Sequence, residues 1–233
     1  MLMQIKNILR RFGIDLVRYH PFWDWITPPG GFATVLDIGA NTGPFSREMR
    51  ERFPNAHIYA FEPLQDCFAK LEETMRGDER FMGFNFALGE ERGETTIHRS
   101  SFHPSSSLLP MSSLHKKIYP KSAGSQEELI NIKPLDDVAK ELTLQKPMLI
   151  KFDVQGFEAA VMRGGKNVVS QAQALIIETS FVPLYEGQPL FADIHDLAHS
   201  LGFEYHGRRE SHYDPATQKP IYEDAVFIKR QGA

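Results

Sequence analysis

A chain of 233 residues, 42% apolar and 24% charged, has material for one well-buried core, so a single α/β domain is the natural prior. A formal charge of −4 gives no electrostatic case for nucleic acid as main partner, and the single cysteine, Cys67, excludes an internal disulfide or a cysteine-based zinc cluster. No apolar run approaches the ~18 residues of a membrane-spanning helix.

In chain order, the first segment is MLMQIKNILRRFGIDLVRYH, where Leu2, Ile5, Ile8, Leu9 and Phe12 recur at helical spacing and Lys6, Arg10 and Arg11 fall toward the other side. It lacks the apolar core and cleavage site of a signal peptide, which makes the cytoplasm the default location. One short basic amphipathic helix holds an anionic membrane surface only marginally. Docking on its own domain, or on a second copy in a homo-oligomer, is therefore the simpler reading than weak peripheral membrane contact. PPGG at residues 28–31 ends this extension, dividing the chain into a helical segment over 1–30 and one domain over 31–233. Trp23 and Trp25 are expected to pack the extension onto the core.

Within the domain, ATVLDIG reads as a strand, GPFSREMRERF as a helix, HIYAFEP as a second strand and residues 64–75 as a helix. FMGFNFAL is a third strand. An insert over about 90–133 follows, with short β segments, GETTIHRS and EELINIK, flanking a Ser- and Pro-rich stretch that reads as a lid or mobile loop. PLDDVAKEL is a short helix, PMLIKFD a strand, GFEAAVMRGG a helix, QALIIET a strand and LFADIHDLAHSLG a helix. FEYHGR and EDAVFIK close the chain as an antiparallel pair. Repeated strand–helix alternation predicts a doubly wound, mostly parallel sheet with a mixed edge.

Ligands of such sheets sit at the carboxyl ends of the strands where strand order reverses. The first strand ends LDIGANTG, a G-x-x-x-G turn at Gly39 and Gly43 that is neither the dinucleotide fingerprint nor a phosphate loop. Asp37 beside it repels phosphate and suits a cation. Glu62 ends the second strand about 25 residues on, where an acid accepts hydrogen bonds from ribose hydroxyls. Together with Asn41, these residues describe a nucleoside site with a cationic tail, which fits S-adenosylmethionine.

The segments VLDIGANTGPFS, YAFEP, FALGE, IKPLDDV, IKFDVQGFE and EDAVFIK occur in the order found in FkbM-type S-adenosylmethionine-dependent methyltransferases, which this chain resembles from about Thr34 to Lys229. The resemblance implies a Rossmann-like class I methyltransferase fold with a seven-stranded sheet and, typically, methyl transfer to oxygen. By position, it assigns Asp37 and the Gly39–Gly43 turn to the methionine part, Glu62 to the ribose and Asn85 to the neighbourhood of the adenine. The family often has glutamate in the DVEG segment, where this chain has Gln155.

Methyl transfer to a hydroxyl needs alignment and a base within hydrogen-bond reach. Asp153, ending the fourth strand, is the first choice to orient the acceptor or take its proton; its alternative is to cap the following helix. Lys151 shares its side of the strand and needs a counter-charge, either Glu178 or Asp153. Asp153 and Glu178 could instead share Mg²⁺, although a third ligand is not evident. His103, in the insert, is the histidine placed to act as a base, with Ser105, Ser106 and Ser107 beside it as ligand contacts. HDLAH lacks the glutamate and third ligand of a zinc protease. Glu158 reads as an ordinary first-turn acid. The reading is a methyltransferase acting on a small-molecule or glycan hydroxyl. Its competitors are a nicotinamide-dependent oxidoreductase and a non-catalytic nucleoside-binding scaffold.

Overall fold

The computed structural model describes residues 22–214 and 217–230. The helix expected around Leu2–Phe12, and the membrane or subunit contact argued from it, lie outside the described residues. Helix α1 (Phe22–Ile26) comes first and buries Trp23, whose ring meets Phe53 edge-on and whose Nε1 donates to Glu48 at 3.1 Å. Trp25 departs from expectation: it is 44% exposed and stacks over His206 at the surface.

Among the described residues, the main sheet has seven strands. Strand β1 (Thr34–Ile38) is followed by α2 (Pro44–Arg52), β2 (His57–Phe61), α3 (Gln65–Thr74) and β3 (Phe81–Phe84). After the insert come β7 (Met148–Phe152), α6 (Glu158–Gly164), α7 (Lys166–Val169), β8 (Ala174–Ser180), α8 (Phe191–Ser200) and the hairpin β9 (Phe203–Tyr213) and β10 (Pro220–Lys229). The strand order is β3-β2-β1-β7-β8-β10-β9, parallel except that β10 runs antiparallel to both of its neighbours. This is the doubly wound, mostly parallel sheet with a mixed edge that the alternation predicts, with the seven strands that the family resemblance implies.

Period-two alternation splits the apolar strands between two cores. Leu36, Ile38, Ile150, Phe152, Leu175 and Ile177 pack on one face with α6–α8. Val35, Leu149, Ala174, Ile176 and Val226 pack on the other with α1–α3. The chain winds outward from β1 in one direction and from β7 in the other, so their carboxyl ends lie side by side at the reversal. There Asp153 N–H donates to the Ile38 carbonyl at 2.9 Å, tying the two loops together.

Two expectations need correction. FMGFNFAL is not one strand: it breaks at Asn85, whose side-chain amide donates to the Glu62 and Pro63 carbonyls at 3.0 and 2.9 Å, and it resumes as β4 (Ala87–Leu88) in a second sheet. In the insert the two β segments stand as read, but the Ser- and Pro-rich stretch between them is not an irregular loop. Strands β5 (Gly93–Ser100) and β6 (Ser125–Lys133) pair antiparallel, β4 joins β6, and Ile97 and Ile130 share a small core with Leu64 and Cys67. The Ser-rich connection carries helix α4 (Ser113–Ile118) and is stitched by hydroxyl-to-backbone bonds, such as Ser100 Oγ to the Ser122 carbonyl at 2.8 Å. Composition showed the serines but not the backbone groups they would satisfy. A short helix α5 (Leu135–Val138) leads back to β7. Among the described residues, no helix is long and apolar enough to cross a membrane.

Candidate active site

A cavity of about 520 Å³ opens where β1 and β7 diverge. Gly39 forms its edge at φ +83, and a β-carbon there would lie 1.9 Å from the Asp153 carbonyl oxygen. Only glycine lets the first turn approach β7 so closely. Asn41 follows at φ 50, and its N–H donates to Glu62 Oε2 at 2.9 Å. Leu64 N–H donates to the other carboxylate oxygen, Oε1, also at 2.9 Å. Glu62 is thus held by two backbone donors at the cavity, and burial pushes its carboxyl up to about 7.

Two expected cofactor contacts stand behind the wall rather than in it. Asp37 is fully buried, accepts from Ser46 Oγ at 2.6 Å, and does not line the cavity. Its Oδ1 has no hydrogen-bond partner among the described residues, and burial raises its carboxyl despite Lys151 alongside. Asn85 also lies outside the lining and braces the Glu62–Pro63 backbone instead.

The opposite end of the cavity is a polar network. Lys151 Nζ donates to Asp153 Oδ2 at 2.7 Å and lies 5.2 Å from the centre of the Phe45 ring. Burial works against the ammonium, but Asp153, Asp37 and Asp224 outweigh it and hold it protonated. Burial would raise Asp153, yet Lys151 and the Gln155 amide keep it below the usual carboxylate range. The pairing is therefore with Asp153, one of the two counter-charges expected.

Asp153 does not cap α6, whose first residue serves the loop instead. Glu158 is buried and turns its Oε1 back to accept from Val154 and Gly156 N–H, each at 3.1 Å. Burial pushes its carboxyl up to about 7, so it is a loop clamp and not a solvated first-turn acid.

Gln155 is the residue whose role the sequence did not reveal. It sits at φ 56, a left-handed conformation unusual for a side-chain-bearing residue. Its Nε2 donates to Asp153 Oδ1 at 3.0 Å and to Glu178 Oε2 at 2.6 Å, while its Oε1 accepts from the Tyr185 hydroxyl at 2.8 Å. Burial, then Asp153, Glu158 and Asp224, raise Glu178 well above the usual range. The amide fills the place between the carboxylates that a shared cation would take, so this donor set does not fit Mg²⁺. Gln155→Glu should therefore lower the melting temperature by several degrees through like-charge crowding. Added Mg²⁺ should raise the melting temperature of the variant and leave that of the parent unchanged, which a thermal scan with a metal titration would read.

His103 lines the cavity from the insert, but its Nδ1 faces Cys67 Sγ at 3.5 Å rather than either carboxylate. Asp66, Cys67 and His103 bring donor atoms within 4.8 Å of one another. Asp66 is held by Arg99 at 2.6 Å, and burial, then Glu62 and Asp66, push the Cys67 thiol up to about 11. Ser107 Oγ donates to the Gln155 carbonyl at 2.6 Å, latching the insert to the β7–α6 loop. Arg209, from the edge strand β9, also reaches the cavity and pairs with Glu48 at 2.7 Å. No local motif marks Tyr185 or Arg209; only the fold brings them here.

A family model of the Methyltransferase FkbM domain matches residues 37–205 of this chain. The chain belongs to the FkbM methyltransferase family. It is 30% identical over 175 residues to 2-O-methyltransferase NoeI of Sinorhizobium fredii, a match covering 72% of this chain and 71% of that protein. It is 27% identical over 147 residues to hexuronic acid methyltransferase AglP of Haloferax volcanii, covering 62% of this chain and 54% of that one. The crystal structure of a methyltransferase FkbM from Methylobacillus flagellatus aligns over 91% of this chain with a TM-score of 0.50 at 13% identity, which shows the shared fold. This chain spans 45% of that one.

Proposed function

We propose that this FkbM-family methyltransferase transfers the methyl group of S-adenosylmethionine to a hydroxyl oxygen of a sugar. The observation that carries the reading is Glu62, with both oxygens fixed by backbone N–H groups beside the Gly39 turn. Each carboxylate oxygen keeps a lone pair for a ribose hydroxyl. No glycine-rich phosphate cradle accompanies it, and Asp153 and Glu178 at the far end suit a cationic sulfonium better than a pyrophosphate. Gly39, Asn41 and Glu62 would hold the cofactor. When bound, it supplies a methyl carbon on a sulfonium sulfur, and the new O–C bond forms as the C–S bond breaks, leaving S-adenosylhomocysteine. The names of NoeI and AglP, a 2-O- and a hexuronic acid methyltransferase, support oxygen and sugar as the target.

Calorimetry with S-adenosylmethionine, S-adenosylhomocysteine and NAD tests the cofactor. Binding of NAD alone would favour an oxidoreductase and defeat this reading. Methyl-labelled cofactor offered to sugars, polyketides and hydroxylated lipids then tests the acceptor. Glu62→Gln sets an NH₂ against a backbone N–H and removes one acceptor oxygen. S-adenosylhomocysteine affinity should drop at least about tenfold, the scale of one hydrogen bond to a charged group. Unchanged affinity would move the ribose elsewhere.

A further inference from the structure

Beside the first cavity lies a second, of about 450 Å³, within the roughly 300–1,000 Å³ typical of small-ligand sites. The two share Phe102, Ser105, Gln155, Glu178 and Tyr222, which therefore form a common wall. The remaining walls of the second chamber come largely from the insert: Ile118 and Tyr119 at the end of α4, buried His115, Ser122 and, at the rim, exposed Lys121. Leu184, which packs in one apolar cluster with Ile118 and Tyr119, also lines it. The surface is aromatic and aliphatic, with hydroxyls among it and one carboxylate, Glu178, at the shared wall. Such a surface suits a compact ring with one apolar face and hydroxyls at its edge, the character of a pyranose.

The two carboxylates of the network are not equivalent toward this chamber. Asp153 does not line it, and both Asp153 oxygens are engaged, one by the Lys151 ammonium and the other by the Gln155 amide. Glu178 lines both cavities. Its Oε2 accepts from Gln155, while its Oε1 accepts no hydrogen bond from the described residues. The bridging amide thus orients Glu178 and leaves one oxygen for a ligand.

We propose that the chamber between α4 and β8 is the acceptor site for a pyranoside, and that Glu178 at its shared wall takes the proton of the reacting hydroxyl. The inference rests on the methyltransferase reading above and adds the acceptor's place and the base. The hydroxyl proton passes to Glu178 Oε1 as the oxygen lone pair makes the new O–C bond. The positive sulfonium and negative carboxylate become a neutral thioether and a neutral carboxylic acid, so charge balances, and the proton leaves to water before the next turnover. Asp153, with Lys151, becomes a positioning group that holds Gln155.

The test uses the full chain with S-adenosylhomocysteine, labelled S-adenosylmethionine and p-nitrophenyl glycosides of hexoses, 6-deoxyhexoses and hexuronic acids. Acceptor binding is followed by saturation-transfer NMR in the S-adenosylhomocysteine complex, separately from turnover. Glu178→Gln should retain binding of S-adenosylhomocysteine, which carries no sulfonium charge, and of the glycoside within about threefold, while turnover at saturating S-adenosylmethionine falls at least about 100-fold, the lower range for a lost general base. Ile118→Trp, filling the chamber, should abolish glycoside binding and leave S-adenosylhomocysteine affinity unchanged. If that variant misfolds, Tyr119→Ala, which widens the chamber, should weaken glycoside binding at least tenfold with cofactor binding intact. Turnover of Glu178→Gln within threefold of the parent overturns the base. Loss of cofactor and glycoside binding together in a folded chamber variant overturns a separate acceptor site. Cofactor binding by the parent with no glycoside bound or methylated overturns the pyranoside, whereas no cofactor binding at all defeats the methyltransferase reading instead.

Discussion

Gly39→Ala should destroy cofactor binding and lower the melting temperature by roughly 6–12 °C, if about 3 kcal/mol is lost and each kcal/mol moves a chain of this size by roughly 2–4 °C. Two costs combine. At φ +83 an alanine pays about 1–2 kcal/mol for left-handed backbone. Its β-carbon would also meet the Asp153 carbonyl at 1.9 Å, and a backbone atom cannot swing aside. The clash pushes apart the two loops that the Asp153-to-Ile38 hydrogen bond holds together, and with them Asn41 and its bond to Glu62. Gly30 is the matched control: its φ is +85, but a β-carbon there has nothing within 4 Å. Gly30→Ala should show the backbone cost alone and bind S-adenosylhomocysteine normally. Equal melting shifts for the two variants, with binding retained in both, would show that close approach of β1 to β7 is not what Gly39 provides.

The scaffold was legible in the sequence because its signals are periodic and local. Strands β1, β7 and β8 are near-continuous apolar runs, and that pattern belongs to parallel strands covered on both faces. Gly39 and Glu62 were legible because a turn and a strand end at fixed separation carry a geometric meaning. Three kinds of information were not. The break at Asn85 depends on carbonyls 22 and 23 residues away, so the run of apolar residues concealed it. The order in the insert depends on serine hydroxyls bonding distant backbone, and composition alone reads the same serines as loop. The roles of Asp153 and Glu178 depend on Gln155, whose amide joins the residue just after β7 to one in β8 and to a tyrosine thirty positions on. A Glu-to-Gln departure was visible in the sequence; that it converts a third carboxylate into a bridge between the other two was not.

Lys151→Met should be the most destabilising change in the polar network. Lys151 is 8% exposed, and its ammonium is 2.7 Å from Asp153 and faces Asp37 and Asp224 as well. Arg209 still lies 3.9 Å from Asp224 and also favours ionised Asp153, so those two keep a cation nearby. Among the described residues, Asp37 keeps only Ser46. Removing one partner of a buried ion pair costs about 3–5 kcal/mol, because the remaining charge is left in a poorly solvating interior. The pH dependence separates this cause from simple loss of packing, since methionine nearly replaces the lysine stem. In the parent, Asp153 is held below its unfolded value, so its contribution is present at neutral pH and lost as pH falls through the acid range. Without the ammonium, burial would raise Asp37 further and lift Asp153 above its unfolded value, and a raised carboxyl gains relative stability as it becomes protonated. The gap between parent and variant should therefore be widest near pH 8 and narrow toward pH 5, measured by urea unfolding at both. Adding Asp153→Asn to Lys151→Met should recover part of the loss at pH 8, because one of the stranded charges is gone. A gap below 1 kcal/mol, equal at both pH values, would mean that the ammonium is solvated and that Lys151 contributes only its stem; Asp153 would then have to be held for Gln155 by that amide alone.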